Sequence, residues 1–433
     1  MRFIPFLFLI LTTTFLQAQN YNTYFTGNSQ DVTTQPEGGI CLMGGASEDD
    51  NAMKWFLQRA NGGDVLVLRT SGSDGYNNYM FSSLGVNINS VETIVCNNAA
   101  ASYNTYIHDK IQKAEAIWFA GGNQWTYISY WRNSPIDSLI KLGINERNIV
   151  IGGTSAGMAI MGDYYFSAQN GTISSASALQ DPFNNALTID TAAFLENNTL
   201  NSIITDTHFD NPDRKGRLTA FLSRIYLDYN VSAKAIACDE YTAVCVDNNG
   251  LAKVFGGYPQ YDDFAYFVEV NCEIPNPMPE NCIIGEPLTW NYNAQAIKVC
   301  KIPGTNSGNN TFNMNDWQNN SVGSWLNWSV VQGVFSENIG NPPSCLSSIV
   351  EENKHNFTWR FDTDQNLLII QSNLMDFTKS NLMLFDTFGR AIHFEHILQN
   401  DEVVIYLKES MKGMNFLRIT VDNGTIGYMK LIL

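Results

Sequence analysis

The sequence has 433 residues, of which 44% are hydrophobic and 15% charged, a composition typical of a folded globular protein rather than a disordered one. Its formal net charge of −17 at pH 7 argues against nucleic acid and anionic membrane surfaces as partners. The chain has five histidines and eight cysteines without zinc-site spacing, so no metal centre is expected. No cofactor is implied.

The N-terminus has the pattern of a signal peptide spanning residues 1–18. Arg2 supplies a positive charge, an apolar run follows from Phe3, and Leu16-Gln17-Ala18 forms a cleavage box. The run is too short to cross a bilayer, and no later stretch is a candidate for a membrane span. We therefore expect an exported protein that is secreted or held at the cell surface.

Strands and helices are predicted to alternate through the first part of the chain. Apolar strands are predicted at 39–43, 64–69, 91–96, 116–119 and 148–152, and helices at 48–60, 76–84, 103–113 and 124–142, with a break near Pro135. Strands that are apolar throughout indicate an α/β fold with a doubly wound, mainly parallel sheet. Ligands bind beyond the carboxyl ends of such strands, where the Gly44-Gly45, Gly121-Gly122 and Gly152-Gly153 turns lie.

Further strands are predicted at 203–209 and 235–240, a helix at 217–229 and a β-hairpin at 244–254, with 261–335 completing the domain. The predicted organisation is a catalytic domain over 19–338, a linker over 339–354 and a β-sandwich over 355–433. Cys272 and Cys282 bracket a Pro-rich loop that a disulfide would close, although pairing cannot be deduced from sequence.

A candidate nucleophile lies in the stretch from Asn148 to Gly162. Gly153, Ser155 and Gly157 form G-x-S-x-G after a β-branched run and before a helix-compatible segment. In a strand–turn–helix context this spacing makes a nucleophile elbow, in which a strained turn exposes the serine Oγ and leaves no room for side chains two residues away. Backbone N–H groups that follow the serine then point towards a developing oxyanion.

A serine nucleophile needs an imidazole base that a carboxylate orients. Before the predicted linker the chain has His108, in the middle of a predicted helix, and His208, at the end of a predicted strand where active-site residues belong. Candidates for the carboxylate are Asp206, Asp239 and Glu240. Spacing alone does not decide among them, and Glu240 is preferred because its strand is expected to lie beside that of His208.

Four motifs in this order resemble the cyanophycinase and aspartyl-dipeptidase family of serine peptidases. They are Phe119-Ala120-Gly121-Gly122-Asn123-Gln124, then Gly153-Thr154-Ser155-Ala156-Gly157, then Asp206-Thr207-His208-Phe209 with Arg214 and Arg217, and Asp239-Glu240-Tyr241-Thr242-Ala243. The resemblance implies a flavodoxin-like fold related to class I glutamine amidotransferases, whose own elbow carries cysteine.

The resemblance also implies the roles of individual residues. Ser155 becomes the nucleophile, His208 the general base and acid, and Glu240 the orienting carboxylate. The amides of Gly122 and Ala156 would form the oxyanion hole, and the residues implied to contact substrate are Gln124, Asp206, Arg214 and Arg217.

Members of this family cleave next to aspartyl residues, so the implied function is an exported serine exopeptidase for β-aspartyl bonds such as those of cyanophycin. Cyanophycinase has arginines four, six and nine residues after the histidine, positions that Pro212, Arg214 and Arg217 occupy here. The proline leaves cyanophycin specificity open, and α-aspartyl dipeptides are the alternative substrate. The alternatives also include a catalytically silent binding protein, and the sequence leaves a homodimer open.

The last segment resembles the C-terminal sorting domain of the type IX secretion system. The resemblance rests on Asp386-Thr387-Phe388-Gly389-Arg390, a Lys412-Gly413 turn and a terminal strand with Lys430. It implies that the export machinery is a partner of this domain; a carbohydrate-binding or merely structural β-module is the alternative.

Overall fold

A computed structural model describes residues 19–191 and 194–344 together with the strands of the C-terminal segment and some adjoining positions. The chain divides into two compact units, Met1–Ser344 and Cys345–Leu433. The predicted signal peptide lies outside the described residues, as do 345–354 of the predicted linker, residues 387–390 and the Lys412-Gly413 turn.

The first unit contains seventeen strands and eight α-helices among its described residues. The strands are β1 Tyr21–Gly27, β2 Ile40–Met43, β3 Asp64–Arg69, β4 Ser90–Cys96, β5 Ala116–Phe119, β6 Val150–Thr154, β7 Tyr165–Phe166, β8 Ile189–Asp190, β9 Ile203–Asp206, β10 Lys234–Cys238, β11 Ala243–Val246, β12 Leu251–Phe255, β13 Phe264–Val270, β14 Ile297–Pro303, β15 Asn310–Asn313, β16 Ser324–Val331 and β17 Val334–Ile339. The helices are α1 Asp50–Gln58, α2 Gly75–Asn78, α3 Thr105–Lys113, α4 Gln124–Trp131, α5 Pro135–Arg147, α6 Ala156–Ala159, α7 Ser175–Gln180 and α8 Lys215–Tyr229.

The larger sheet has nine strands in the order β1-β4-β3-β5-β6-β2-β11-β12-β15. Its centre, from β4 to β2, is parallel, and antiparallel strands flank it on both sides. The central strands are almost fully buried, as their apolar sequences require. The fold class predicted from the sequence, an α/β fold with a small all-β C-terminal part, is therefore the one observed.

Helix boundaries follow local signals in the sequence. Asp49 caps α1, since its carboxylate accepts from the N–H groups of Asn51 and Ala52. Pro135 begins α5, which separates it from α4 at the predicted break. The segment predicted as a helix over 76–84 instead has a short α-helix, α2, that continues as a π-helical turn over Tyr79–Ser83.

A second sheet of six strands has the order β17-β16-β14-β13-β10-β9. Within it β9 and β10 are parallel, with Ile204 opposite Ala235, so the strands that precede His208 and Glu240 are neighbours as expected. The other pairs in this sheet are antiparallel. The predicted hairpin, β11 and β12, joins the larger sheet through β2.

The cysteines only partly follow the sequence interpretation. Cys282 is a free, half-buried thiol with its Sγ 3.7 Å from the Ser223 Oγ. Cys272, in contrast, is disulfide-bonded. The disulfide suggested between these two cysteines is therefore absent, whereas Cys238 and Cys245 are buried free thiols, as expected of core residues.

The second unit is described through its strands. They are β18 Phe357–Asp362, β19 Leu367–Ser372, β20 Asn381–Asp386, β21 Ala391–Ile392, β22 Glu395–Leu398, β23 Glu402–Tyr406, β24 Met414–Thr420 and β25 Ile426–Ile432. Two antiparallel four-stranded sheets, β18-β19-β23-β22 and β21-β20-β24-β25, contribute side chains to one apolar cluster. Within this cluster Ile370 and Val403 from the first sheet lie with Leu384 and Leu417 from the second.

Candidate active site

The G-x-S-x-G turn has the sterics of a nucleophile elbow. Ser155 lies between β6 and α6 with φ 51° and ψ −114°, outside the regions that an L-residue normally occupies. A Cβ on Gly153 would lie 2.7 Å from the Gly157 carbonyl carbon, and one on Gly157 would lie 2.1 Å from the Phe119 oxygen. Both positions therefore require glycine because backbone atoms fill the space.

The structure brings Ser155, His208 and Glu240 into one hydrogen-bonded chain. Ser155 Oγ lies 2.8 Å from His208 Nε2, and His208 Nδ1 lies 2.6 Å from Glu240 Oε1. The side chains of His208 and Glu240 are 24% and 19% exposed, so a substrate can reach them. This is the geometry in which an imidazole takes a proton from a serine while a carboxylate holds its other nitrogen.

The position of His208 depends on contacts with the end of β2. Its backbone N–H donates to the Gly44 carbonyl at 2.8 Å, and its ring packs against Gly45. A Cβ on Gly45 would lie 2.4 Å from the imidazole, so a larger residue there would displace the ring. Sequence reasoning placed the Gly44-Gly45 turn at this edge of the sheet but not its contact with the histidine.

Glu240 is held from several sides. Its hydrogen bond with His208 is the largest influence that lowers the pKa of its carboxyl, and Asn211 Nδ2 donates to its second oxygen at 3.3 Å. The Glu240 backbone N–H donates to Asp210 Oδ1 at 2.9 Å. The carboxylate therefore stays ionised at neutral pH. Sequence reasoning missed Asp210 and Asn211, for which no motif gives a signal.

Asp239, another candidate for the orienting carboxylate, is hydrogen-bonded to β13. Asp239 is 2% exposed, and its Oδ2 accepts from the Phe264 N–H at 3.2 Å. Burial, with the nearby charge of Asp210, raises the pKa of the Asp239 carboxyl to about 8. Within the described part of the chain its Oδ1 has no hydrogen-bond partner, so no donor stabilises a negative charge on that oxygen.

Asp206 and Arg217 form a buried ion pair. The guanidinium of Arg217 donates through Nε to Asp206 Oδ2 at 2.9 Å and through Nη2 to Oδ1, and Arg217 and Asp206 are 4% and 3% exposed. Asp206 Oδ1 also accepts from the Thr207 N–H at 2.8 Å. Each group is thus buried and paired with the other, and the substrate contacts that the resemblance implied for Asp206 and Arg217 stay a prediction.

Arg214 and Gln124 are half-buried and therefore accessible from solvent. Arg214 Nη1 donates to the Thr207 carbonyl at 2.8 Å, and burial together with the positive charge of Arg217 lowers the pKa of Arg214. Gln124, at the start of α4, donates through Nε2 to the Phe166 carbonyl. Of the predicted cationic pair, only Arg214 offers a charged group at the surface of the site.

The two amides assigned to the oxyanion hole lie on either side of the nucleophile. Ala156 directly follows Ser155, and the Gly121-Gly122 turn lies against it, because a Cβ on Gly121 would be 3.8 Å from the Ser155 Cβ. Gly122 is exposed at this edge. Within the described residues, neither amide is found donating to a backbone carbonyl outside the helices and strands.

His108 is not near this site. It lies in α3, where its Nε2 contacts the Ser102 carbonyl at 2.8 Å, a packing role that agrees with the sequence interpretation.

Across the described positions no group of three or more His, Cys, Asp or Glu side chains is arranged to hold a metal ion. The same positions contain no helix with the length and hydropathy of a membrane span.

Comparison with known proteins gives consistent matches. Residues 75–254 match the model of peptidase family S51. The chain is 29% identical over 146 residues to a cyanophycinase of Geminocystis herdmanii, covering 34% of this chain and 48% of that one. It is 23% identical over 229 residues to a cyanophycinase of Synechococcus elongatus, covering 50% and 66%. The chain thus spans about half to two thirds of these curated relatives.

Two solved structures are also similar at low identity. A peptidase from an acI-B1 Actinobacterium is 14% identical with a TM-score of 0.39, and the match covers 54% of this chain and 91% of that one. A putative peptidase E of Listeria monocytogenes is 16% identical with a TM-score of 0.32, covering 50% and 96%. The similarity to known peptidases therefore rests on the match of residues 75–254 to peptidase family S51 and on the cyanophycinases, and these structures carry no argument.

Proposed function

We propose that this protein is a serine exopeptidase that hydrolyses aspartyl peptide bonds, with Ser155, His208 and Glu240 as its triad. The observation that carries the proposal is the continuous chain of contacts from the Ser155 Oγ to the Glu240 carboxylate, 2.8 Å and 2.6 Å long at its two links. An intact triad on a strained elbow favours an enzyme over a catalytically silent binding protein, which has no need of it.

In the proposed reaction Ser155 Oγ attacks the carbonyl carbon of the scissile bond while its proton passes to His208 Nε2. Glu240 stabilises the resulting imidazolium through Nδ1, and the amides of Gly122 and Ala156 stabilise the oxyanion. His208 then donates the proton to the leaving amine, which leaves an acyl-enzyme. Water attacks the acyl-enzyme with His208 again as base and releases Ser155.

The proposed substrate carries an aspartyl carboxylate, which Arg214 binds. Arg214 has the accessible guanidinium of this site, and its Nη1 is already oriented by the Thr207 carbonyl. The buried Asp206–Arg217 pair also helps to hold Thr207 in place, because the Thr207 N–H donates to the Asp206 carboxylate. The similarity to cyanophycinases favours β-aspartyl bonds, while Pro212 at the first of the three arginine positions keeps α-aspartyl dipeptides as the alternative.

The test is turnover by the purified full chain of insoluble cyanophycin and of matched α- and β-aspartyl dipeptides, beside Ser155→Ala. Cleavage by the wild type that Ser155→Ala abolishes supports the peptidase. Preference between the two dipeptide series then assigns the bond type. Absence of turnover with every substrate, combined with absence of Ser155 labelling by a fluorophosphonate, contradicts the proposal and favours the binding protein.

We further propose that the protein is exported, with residues 1–18 removed and the C-terminal unit acting as a sorting domain. Support comes from the charge and apolar run of the first residues and from the Asp386 and Lys430 motifs. Mass spectrometry of the protein from the culture medium and cell surface is expected to find Gln19 as the first residue. A cell-associated protein with an intact N-terminus would contradict this.

A further inference from the structure

The turn that carries the Gly122 amide is held from behind by a buried tyrosine on α4. The Tyr127 hydroxyl lies 2.8 Å from the Ala120 carbonyl oxygen and 3.0 Å from that of Gly121. Tyr127 is 0% exposed, and its ring stacks on Trp131 with centroids 4.7 Å apart. Burial raises the pKa of this hydroxyl, so it remains a protonated donor across the range in which a histidine base works.

The contact with Gly121 matters because of peptide geometry. The Gly121 carbonyl and the Gly122 N–H belong to one peptide unit, which is trans. In a trans peptide the C=O and N–H point in opposite directions, so a hydrogen bond that fixes one also fixes the other. A donor on the carbonyl also polarises the unit and strengthens its N–H as a donor.

The surroundings of the turn agree with this orientation. Tyr127 is buried on one side of the turn, whereas Gly122 is exposed on the edge where Ser155 lies. The Gly121 position is in contact range of Ser155, and a Cβ on Gly122 would lie only 2.8 Å from the Tyr127 oxygen. The turn therefore fits closely between the hydroxyl and the nucleophile.

We propose that Tyr127 is a positioning residue that aims and polarises the Gly122 amide towards the oxyanion formed during Ser155 attack. The inference rests on the proposed function, because it assigns a role to that same site. Tyr127 does not contact the substrate; it acts through the Gly121–Gly122 peptide.

The test compares Tyr127→Phe with Tyr130→Phe in the full chain. Tyr130 is on the same helix, but its hydroxyl contacts the Asn97 carbonyl at 3.5 Å, so it controls for loss of a tyrosine oxygen. Losing an oxyanion donor outright lowers kcat by about 10²–10³-fold, so we expect loss of its positioning to lower kcat about tenfold. KM should change less than twofold, and Tyr130→Phe should leave both constants unchanged.

The rate of Ser155 phosphonylation by a fluorophosphonate is the second readout, since it needs the same oxyanion donors without requiring the correct peptide substrate. The fraction of protein labelled at completion measures the amount of folded protein, and the rate is expressed per folded molecule. A lower yield of folded Tyr127→Phe therefore does not change the measured rate. A tenfold slower rate supports the inference. An unchanged rate and kcat, or a loss confined to KM, overturns it; a wild type that neither labels nor turns over substrate refutes the proposed function itself.

Discussion

The two sheets of the first unit contribute to the site in different ways. The nine-stranded sheet supplies Ser155 and the proposed oxyanion amides from turns at the ends of β5 and β6, and at the β6 turn main-chain atoms leave no space for side chains at Gly153 and Gly157. The six-stranded sheet supplies His208 and Glu240 just beyond β9 and β10, where side-chain and backbone hydrogen bonds determine their positions.

This difference predicts that substitutions in the two regions affect stability and reaction rate differently. Changes near the nucleophile alter backbone packing, so they should reduce stability and activity together. Changes to His208 or Glu240 alter half-buried side chains at the rim of a sheet, so they should reduce the rate with little effect on stability. The predictions that follow test this division.

The largest effect is expected from His208→Ala, which removes the proposed base. We expect kcat to fall about 10⁴-fold or more, because triad members act as a unit, while the Tm stays near that of the wild type. The matched control is His108→Ala in α3, which is expected to keep full activity. Steady-state kinetics and thermal unfolding check both, and equal losses from the two variants would refute the assignment.

Glu240→Gln should have the next largest effect. It keeps the size of the side chain but removes the charge that stabilises the imidazolium, so kcat should fall about 10²–10⁴-fold. Glu37→Gln removes a charge from a side chain that is 67% exposed and serves as the control. Kinetics at pH 7 that show equal kcat for Glu240→Gln and the wild type would exclude an orienting role.

Gly157→Ala tests the other half of the comparison, the backbone packing around Ser155. Its Cβ would lie 2.1 Å from the Phe119 carbonyl oxygen, so we expect about 1–3 kcal/mol of destabilisation or more, with activity lost in parallel. Gly75→Ala adds the same methyl group where no atom lies within 4 Å and is expected to leave the free energy of unfolding nearly unchanged. Denaturant unfolding distinguishes them, and a fully stable Gly157→Ala would contradict the elbow packing.

The smallest effect is a pH dependence at Asp239. Because its folded-state pKa is raised to about 8 from 3.8, the folded protein binds a proton that the unfolded chain has released, and stability falls as pH rises between these values. Asp239→Asn cannot ionise, so its Tm should exceed that of the wild type at pH 9 and by less at pH 5.

Calorimetry across this pH range measures the Asp239 effect, with exposed Asp262→Asn as the control. The same pH slope in wild type and Asp239→Asn would show that Asp239 does not titrate in this way.

The elbow could be predicted from sequence because its constraint is local: Gly153, Ser155 and Gly157 lie within one turn, and their spacing expresses the steric requirement directly. The parallel centre of the larger sheet was predictable for a similar reason, since its strands are continuous apolar runs. The meeting of Ser155 with His208 and Glu240 remained a hypothesis, based on strand ends and a resemblance.

Other features depend on contacts between distant segments. The six-stranded sheet was not predicted, because β13, β14 and β16 lie in a stretch whose composition shows no clear periodicity. The buried pair of Asp206 and Arg217 arises because α8 packs back on the end of β9, which spacing along the chain does not show. The resemblance therefore implied substrate contacts for two arginines, of which Arg214 is half-buried and Arg217 is buried.

The place of β2 in the larger sheet has a consequence for synthesis. β2 pairs with β6 on one side and β11 on the other, so its ladders are completed only after residues 154 and 246 have left the ribosome. Until β11 has emerged, one edge of β2 lacks its native partner, and until His208 has emerged, the Gly44 carbonyl lacks the N–H group that it accepts from. Such long-range pairing slows folding. Nascent chains that end before residue 246 should therefore bind chaperones and have no enzymatic activity.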